Sequence, residues 1–184
     1  MPRWMYGLLG LAVLWLIWTK AIKPTPNVSQ ITTQQGVEVV ALQSYEGSFR
    51  VLGREDYNLG REAELSPVDF ALGWDRMADP AVYKKLSIRQ SNRWYYWRYE
   101  NAPPIPVNEI SSQSANTHLI PATKAIAKQL AQIDQDNLIY LKGQLVEVKA
   151  QDGWTWRSSL SREDTGNGAC ELMLVEEVRV ISKS

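Results

Sequence analysis

The chain opens with an uncharged apolar run that a soluble domain would have to bury completely. The 15 residues of Trp4–Trp18 include no charged and no strongly polar side chain. Residues up to Ile22 extend the run to about 19 residues if the Lys20 ammonium group reaches out to the lipid headgroups. Tryptophan and tyrosine lie at both ends of the run, as in the aromatic belts of membrane spans. We therefore predict a transmembrane helix at residues 4–22, preceded by a tail of residues 1–3.

The sequence after the apolar run favours an uncleaved signal anchor over a cleaved signal peptide. Cleavage needs small residues in an Ala-x-Ala-like arrangement, whereas this chain continues Thr-Lys-Ala-Ile-Lys-Pro. The positive-inside count is nearly tied, with Arg3 before the span and Lys20 and Lys23 after it. A three-residue tail cannot hold a domain, so the functional part follows the span. We expect a single-pass protein whose C-terminal domain lies outside the cytoplasm.

The charge balance and the rarity of cysteine and histidine exclude several classes of function. Lys+Arg and Asp+Glu number 20 each, and residues 1–23 hold three bases and no acid, which leaves residues 24–184 with a net charge of −3. Such a domain is not expected to attract nucleic acid or anionic lipid headgroups. One Cys and one His cannot make an intrachain disulfide or the usual four-ligand zinc site. We predict no metal and no cofactor.

The remainder of the chain divides into a linker and one folded domain. Residues 23–36 contain two prolines and a polar run, which is typical of a semi-extended linker. Residues 37–184 are predicted to form a β-rich domain. Its first part contains two strand candidates, Val37–Leu42 and Phe49–Leu52, joined by a turn at Tyr45–Ser48, and then a charged, irregular stretch at residues 53–69.

The pattern continues with short strands and few helices. Leu86–Glu100 is predicted to form a hairpin that turns at Ser91-Asn92, and residues 101–121 resemble a loop. Ala122–Ile133 has the apolar spacing of a helix that packs on a sheet. Strands follow to the end of the chain, and a change of inward phase at Gly143 predicts a β-bulge or a sharp bend.

These elements predict a mainly β fold with one or two helices (α+β), in addition to the N-terminal transmembrane helix. Short strands, a bent first strand and one helix fit a small, partly closed barrel of the OB-like kind. A β-sandwich and a mixed α+β arrangement are the alternatives.

Two aromatic–arginine segments are the main candidates for a binding surface. Tryptophan and tyrosine beside arginine are suited to bind peptides, glycans or single-stranded nucleic acid. The alternative is that the tryptophans form the core and the arginines cover its rim. In the hairpin, both faces of the second strand are aromatic, so that strand either lies between two layers or meets a partner. The candidate binding residues are Arg93, Trp94, Trp97, Arg98, Trp154, Trp156 and Arg157.

Catalytic candidates are fewer and each has a structural explanation. Cys170 and His118 are a possible nucleophile and base, but a lone Cys before an apolar strand is commonly a small buried residue. Asp164-Thr165-Gly166 matches the aspartic-protease tripeptide, yet its charged lead-in suits a turn better. His118 lies in a polar stretch before a helix, where it can equally satisfy turn and cap hydrogen bonds.

Three segments resemble the motifs of a group of small, membrane-anchored bacterial proteins of unassigned function. They are Asp69–Trp74, Ser114–Pro121 and Gly153–Glu171, and the similarity covers roughly residues 65–181. The resemblance implies a bacterial envelope setting. It implies no known activity and supplies no catalytic residues.

The sequence thus predicts a binding or assembly module of the bacterial cell envelope, anchored in the inner (cytoplasmic) membrane and without enzymatic activity. Its predicted partners are the membrane, through residues 4–22, and an envelope protein. One alternative is an envelope hydrolase that uses His118, Cys170 and Asp164. The other is an OB-like module that binds single-stranded nucleic acid or another ligand, although the charge argues against nucleic acid.

Overall fold

A computed structural model describes residues 37–161 and 170–183 and shows a mainly β domain with few helices. This confirms the predicted fold class at that level. The predicted tail, transmembrane helix and linker, at residues 1–36, lie outside the described residues. Within the described ranges, no helix has the length and apolarity needed to cross a membrane.

Strands account for most of the ordered elements, and the helices that connect them are short. In chain order the elements are β1 (Val37–Asp56), α1 (Arg61–Leu65), β2 (Val68–Gly73), a 3-10 helix (Asp75–Ala78), α2 (Pro80–Tyr83), β3 (Ser87–Ser91), β4 (Trp94–Arg98), α3 (Val107–Ser112), β5 (Ser114–Pro121), α4 (Lys124–Leu130), β6 (Leu138–Ala150), β7 (Thr155–Arg157) and β8 (Glu171–Ser182).

Five strands are paired in a ring. The sheet order is β1-β2-β5-β8-β6-β7, and β1 also pairs with β6. The β1–β2, β2–β5, β6–β8 and β1–β6 pairs are antiparallel, whereas β5 and β8 run parallel. β3 and β4 form a separate two-stranded sheet, inserted in the chain between β2 and β5. The ring is therefore interrupted in sequence by a hairpin that has to pack against it.

One hydrophobic cluster receives side chains from all five ring strands and from α4. The helix begins after Thr123, whose side-chain oxygen accepts a hydrogen bond from the Ile126 N–H at 3.2 Å. Ile126, Leu130 and Ile133 are buried in this cluster, which confirms the predicted apolar stripe of the helix. Its strand members include Phe49, Phe70, Leu119, Leu141 and Met173.

The first strand is longer than the sequence pattern indicates. The turn predicted at Tyr45–Ser48 is wrong, because β1 continues through these residues, each paired with a residue of β6. Tyr45 and Phe49 stack with their ring centroids 5.6 Å apart, and both are buried. Pairing of these four residues with β6 satisfies backbone groups that a turn would have left to water.

Two other predictions at the domain centre were also wrong. Residues 53–69 are not simply irregular, since β1 extends to Asp56 and α1 follows. Residues 101–121 are not a loop, because they contain α3 and β5. β5 lies between β2 and β8 in the ring, and every residue of it except Ala115 is buried.

The predicted irregularity at Gly143 is confirmed. In the β6–β8 pairing, Lys142 lies opposite Glu177 and Gly143 lies opposite Val175, so Glu176 is the additional residue of a bulge. The two backbones lie close together at the bulge, since a Cβ atom on Gly143 would lie 1.9 Å from the Leu174 carbonyl oxygen.

Candidate binding site

The β3–β4 hairpin packs one of its faces onto the outside of the ring. Ile88, Tyr95 and Trp97 contact a second hydrophobic cluster that includes Leu52 and Met77. The hairpin turns at two residues with positive φ, Asn92 (51°) and Arg93 (68°), as a two-residue type I′ turn requires. The turn was predicted one residue early, and Arg93 is a turn residue rather than part of the strand.

A buried ionic cluster joins the hairpin turn to the ring. Asp69 of β2 is fully buried and accepts a hydrogen bond of 2.7 Å from the Arg93 guanidinium. Nδ1 of His118 lies 2.8 Å from the other carboxylate oxygen of Asp69. The Asn116 amide donates to that same oxygen at 3.3 Å, and Arg93 also donates to the Ser66 carbonyl oxygen at 2.8 Å. We call Asp69, Arg93, Asn116 and His118 the clamp.

Strand register places the clamp residues together. Asp69 lies directly opposite His118 in the antiparallel β2–β5 pair. Asn116 and His118 are two residues apart on β5, so their side chains project from the same face of the sheet. Gln90 on β3 donates to the Asn116 side-chain oxygen at 2.7 Å, which extends the clamp into the hairpin.

Aromatic rings cover the clamp. The Arg93 guanidinium lies 3.9 Å from the Tyr57 ring centroid and 5.4 Å from that of Trp156. The His118 and Trp156 rings are 4.9 Å apart. Trp154 contacts Trp156 at 6.1 Å, and Arg61 lies over Trp154 at 5.0 Å. Most members of this layer are half-buried, so they seal the clamp while keeping one edge at the surface.

Three tyrosines packed around the clamp and the hairpin should lose their hydroxyl protons at a higher pH than unfolded tyrosine does. Burial raises the pKa of Tyr57, Tyr83 and Tyr95 from 10.0 to about 12, and nearby Asp69 adds to the effect at Tyr57. Unfolded tyrosine loses its proton near pH 10. The resulting stabilisation is therefore complete below pH 10 and is lost between pH 10 and about 12. Ultraviolet titration of tyrosinate, compared in native buffer and in urea, checks this; native titration wholly near pH 10 would contradict it.

The structure brings two of the three catalytic candidates to the clamp. The Cys170 Sγ atom lies 3.7 Å from the Arg93 carbonyl oxygen, to which the Asn116 amide also donates at 3.0 Å. Asp164 lies outside the described residues. His118 is only 4% exposed and its Nδ1 already faces Asp69. We therefore interpret His118 as a member of the clamp that holds the hairpin.

The predicted binding residues do not form one continuous surface. Arg93 belongs to the clamp, and Trp154 and Trp156 belong to its aromatic cover. Trp97 points inward, and its ring stacks on Tyr99 with centroids 6.4 Å apart. The Arg157 guanidinium donates to Glu147 at 3.0 Å on the surface. The remaining two, Trp94 and Arg98, lie on the hairpin side turned away from the ring.

That side of the hairpin is a basic and aromatic surface. Arg89 lies opposite Tyr96 in the β3–β4 register, and their side chains alternate with those that pack inward. The Arg89 guanidinium is 5.1 Å from the Tyr96 ring centroid, and Tyr96 is 42% exposed. We call the surface formed by Arg89, Trp94, Tyr96 and Arg98 the hairpin face.

Arginines on the hairpin face differ from those elsewhere in the domain. Over residues 37–161 and 170–183, Arg89 and Arg98 make no ion pair and no hydrogen bond through their guanidinium groups. The other described arginines each bond to a carboxylate or to a backbone carbonyl oxygen. They are Arg50, Arg54, Arg61, Arg76, Arg93, Arg157 and Arg179.

Sequence reasoning identified Arg93 and His118 but missed Asp69, which joins them. Asp69 was assigned to the end of the charged, irregular stretch at residues 53–69. Its three partners come from a turn and from a strand that was predicted to be a loop. An aspartate inside an apolar stretch, Val68 to Leu72, was the available signal, since a buried carboxylate requires partners.

Comparison with protein-family models and with curated proteins identified no relative of the chain. No family model matches the chain, and no similar curated protein was found. Neither test supports or contradicts the resemblance noted above. Over the described residues, no group of three or more His, Cys, Asp or Glu side chains is placed to hold a metal ion.

Proposed function

We propose that the chain is a membrane-anchored, extracytoplasmic binding or assembly module of the bacterial envelope, without enzymatic activity, and that its hairpin face contacts an envelope protein. One observation carries the proposal. The inward face of the hairpin holds it to the ring, while the outward face presents aromatic rings and two arginines without acidic partners.

Rigid attachment of the hairpin makes this face suitable for recognition. The clamp fixes the turn, and Ile88, Tyr95 and Trp97 fix the strands. A surface held in place before binding loses little conformational entropy when a partner binds. Tryptophan, tyrosine and arginine are also the residues that contribute most to protein–protein binding energy.

The arrangement of the ring supports an OB-like fold for the module. In chain order the five ring strands are β1, β2, β5, β6 and β8, so the third and fifth strands run parallel and α4 lies between the third and fourth. A five-stranded ring with this connectivity commonly serves as a binding scaffold. Here the hairpin is inserted between the second and third strands and covers part of the sheet that such scaffolds use.

The proposed membrane anchor sets the range over which the module acts. Residues 4–22 form the proposed span, and residues 23–36 connect it to β1. The 14 residues of this linker can reach at most about 50 Å when fully extended. The module would therefore remain near the membrane surface, where an envelope partner anchored in the same membrane is locally concentrated.

Site-specific photo-crosslinking in intact cells tests the proposal. A photoreactive amino acid replaces Tyr96 on the hairpin face in one variant and Leu59, which is 92% exposed, in the other. We expect one specific protein adduct from position 96 and none from position 59. Both positions are exposed and hydrophobic, and Leu59 is the more exposed, so chance encounters should label position 59 at least as strongly as position 96.

A second comparison measures how far the position-96 adduct depends on the Arg89 and Arg98 charges. The Arg89→Gln/Arg98→Gln double variant should reduce the position-96 adduct about tenfold, the effect expected for losing about 1.4 kcal/mol of binding free energy. A matched double variant, Lys124→Gln/Lys128→Gln on α4, should leave it unchanged. Equal adducts from positions 59 and 96, or an adduct insensitive to the arginines, would rule out this face as the binding surface.

A further inference from the structure

A groove lies beside the hairpin face, between the end of α2 and the end of β4. Its volume is about 810 Å³, within the range of sites that bind small ligands. The lining includes two lysines that follow α2, Lys84 and Lys85, and three residues at the end of the hairpin, Arg98, Tyr99 and Asn101.

The groove concentrates positive charge in a domain whose overall charge is slightly negative. Lys84 lies 3.4 Å from Asp136 and is thus partly neutralised. Lys85 and Arg98 have no acidic partner in the described part of the chain. Glu100 also lines the groove and opposes the cations. The lining therefore includes two cationic residues without an acidic partner, and one carboxylate that limits their effect.

We infer that this groove binds a phosphate-bearing ligand. An arginine presents a planar fork of donors that matches phosphate oxygens, and a lysine adds a compact charge. Ser87 and Asn101 supply neutral donors in the same lining. Tyr99, whose ring stacks on Trp97, belongs to the same lining, and an aromatic residue there suits a ligand with a non-polar or ring-containing part beside its phosphate.

Two kinds of molecule could supply the phosphate group. One is the headgroup of an anionic phospholipid in the membrane to which the proposed anchor attaches the domain. The other is a soluble phosphate ester. This inference goes beyond the proposed function because phosphate binding by the groove needs no protein partner. Phosphate binding by the groove and protein binding by the hairpin face can therefore each be disproved without affecting the other.

Side-chain NMR of the full chain tests the groove. The protein, labelled with ¹⁵N at arginine, is held in a maltoside detergent, which carries no phosphate. The Nε–Hε signal of Arg98 is identified by its loss in Arg98→Gln. Inorganic phosphate, added at constant ionic strength against chloride, should shift this signal to saturation.

Variants that remove either a positive or a negative charge from the groove make the test specific. Lys85→Gln should weaken phosphate binding about tenfold, and Glu100→Gln should strengthen it several-fold. Lys124→Gln, an exposed lysine on α4, is the control and should change nothing. These three side chains and that of Arg98 are exposed, so all four variants are expected to fold.

A second titration separates the two sources. Micelles are doped with phosphatidylglycerol in one sample and with phosphatidylcholine in the other. A saturable Arg98 shift with inorganic phosphate and with phosphatidylglycerol, but not with phosphatidylcholine, identifies the anionic headgroup. A shift with inorganic phosphate alone identifies a soluble ligand. No saturable shift with either probe, or a shift that Lys85→Gln leaves unchanged, overturns the inference.

Discussion

Asp69→Asn should lower the free energy of unfolding by about 3 kcal/mol or more. The substitution preserves size and removes the carboxylate charge that faces Arg93 at 2.7 Å. The Arg93 guanidinium would then remain largely buried without a counter-charge, since its side chain is only 18% exposed. Breaking a buried pair from one side costs far more than breaking an exposed one, because the remaining charge cannot recover its hydration.

An exposed pair in the same protein provides the control. Arg61 pairs with Asp152 at the surface, where about half of each side chain is accessible. Asp152→Asn should therefore cost about 1 kcal/mol or less. Urea unfolding of both variants measures the difference. If the two substitutions have the same effect, the clamp does not contribute to stability as we describe.

The same variant tests whether the clamp positions the hairpin. Hydrogen exchange at residues 87–98 should rise in Asp69→Asn more than exchange in β6, because the clamp joins the hairpin turn to the ring. A merely global loss of stability would raise exchange in both regions together. The photo-adduct from position 96 described above should also weaken when the hairpin is released.

Local sequence signals predicted those elements whose structure depends on near neighbours. The hairpin at Leu86–Glu100, the helix that contains Ile126 and Leu130, the bulge at Gly143 and the final strand were all visible as short-range patterns. Each of them follows from the alternation, spacing or turn chemistry of its own residues. Distant partners are not needed to recognise them.

Elements whose residues serve distant partners were missed. β5 reads as a polar loop because Asn116 and His118 interrupt its apolar residues, yet both point to Asp69 across the β2–β5 pair. Asp69 precedes Asn116 by 47 positions and His118 by 49, so no local pattern reveals that the three side chains meet. The full length of β1 was missed for a similar reason. Its central residues resemble a turn in the sequence, and only their pairing with β6 shows that the strand continues.

The candidate surface was predicted in part. Arginine and tryptophan in the hairpin drew attention to Trp94 and Arg98, which do lie on the hairpin face. Alternation alone could not decide which side of β4 faces the ring, because both sides are aromatic. That choice depends on the second hydrophobic cluster, which Tyr95 and Trp97 join and Trp94 does not.

Gly143→Ala should destabilise the domain by more than about 3 kcal/mol, beyond the usual cost of overpacking a core. The added Cβ would lie 1.9 Å from the Leu174 carbonyl oxygen and 3.2 Å from the Glu176 backbone nitrogen. Both contacts are with backbone atoms of β8, so no side-chain rotation can relieve them. The strands would have to separate at the bulge, and the β6–β8 pairing there would be lost.

Gly153→Ala is the control that separates this steric clash from the strain of placing alanine where the backbone has a positive φ. Gly153 has φ of +87° in the turn before β7, and a Cβ there would meet no atom within 4 Å. Its substitution therefore carries only the strain of a left-handed backbone, about 1–2 kcal/mol. Urea unfolding should show the larger loss for Gly143→Ala, because close packing of β6 on β8 adds a steric cost that an exposed turn does not have. A smaller loss at Gly143 than at Gly153 would mean that the two strands can move apart at the bulge without disturbing the core.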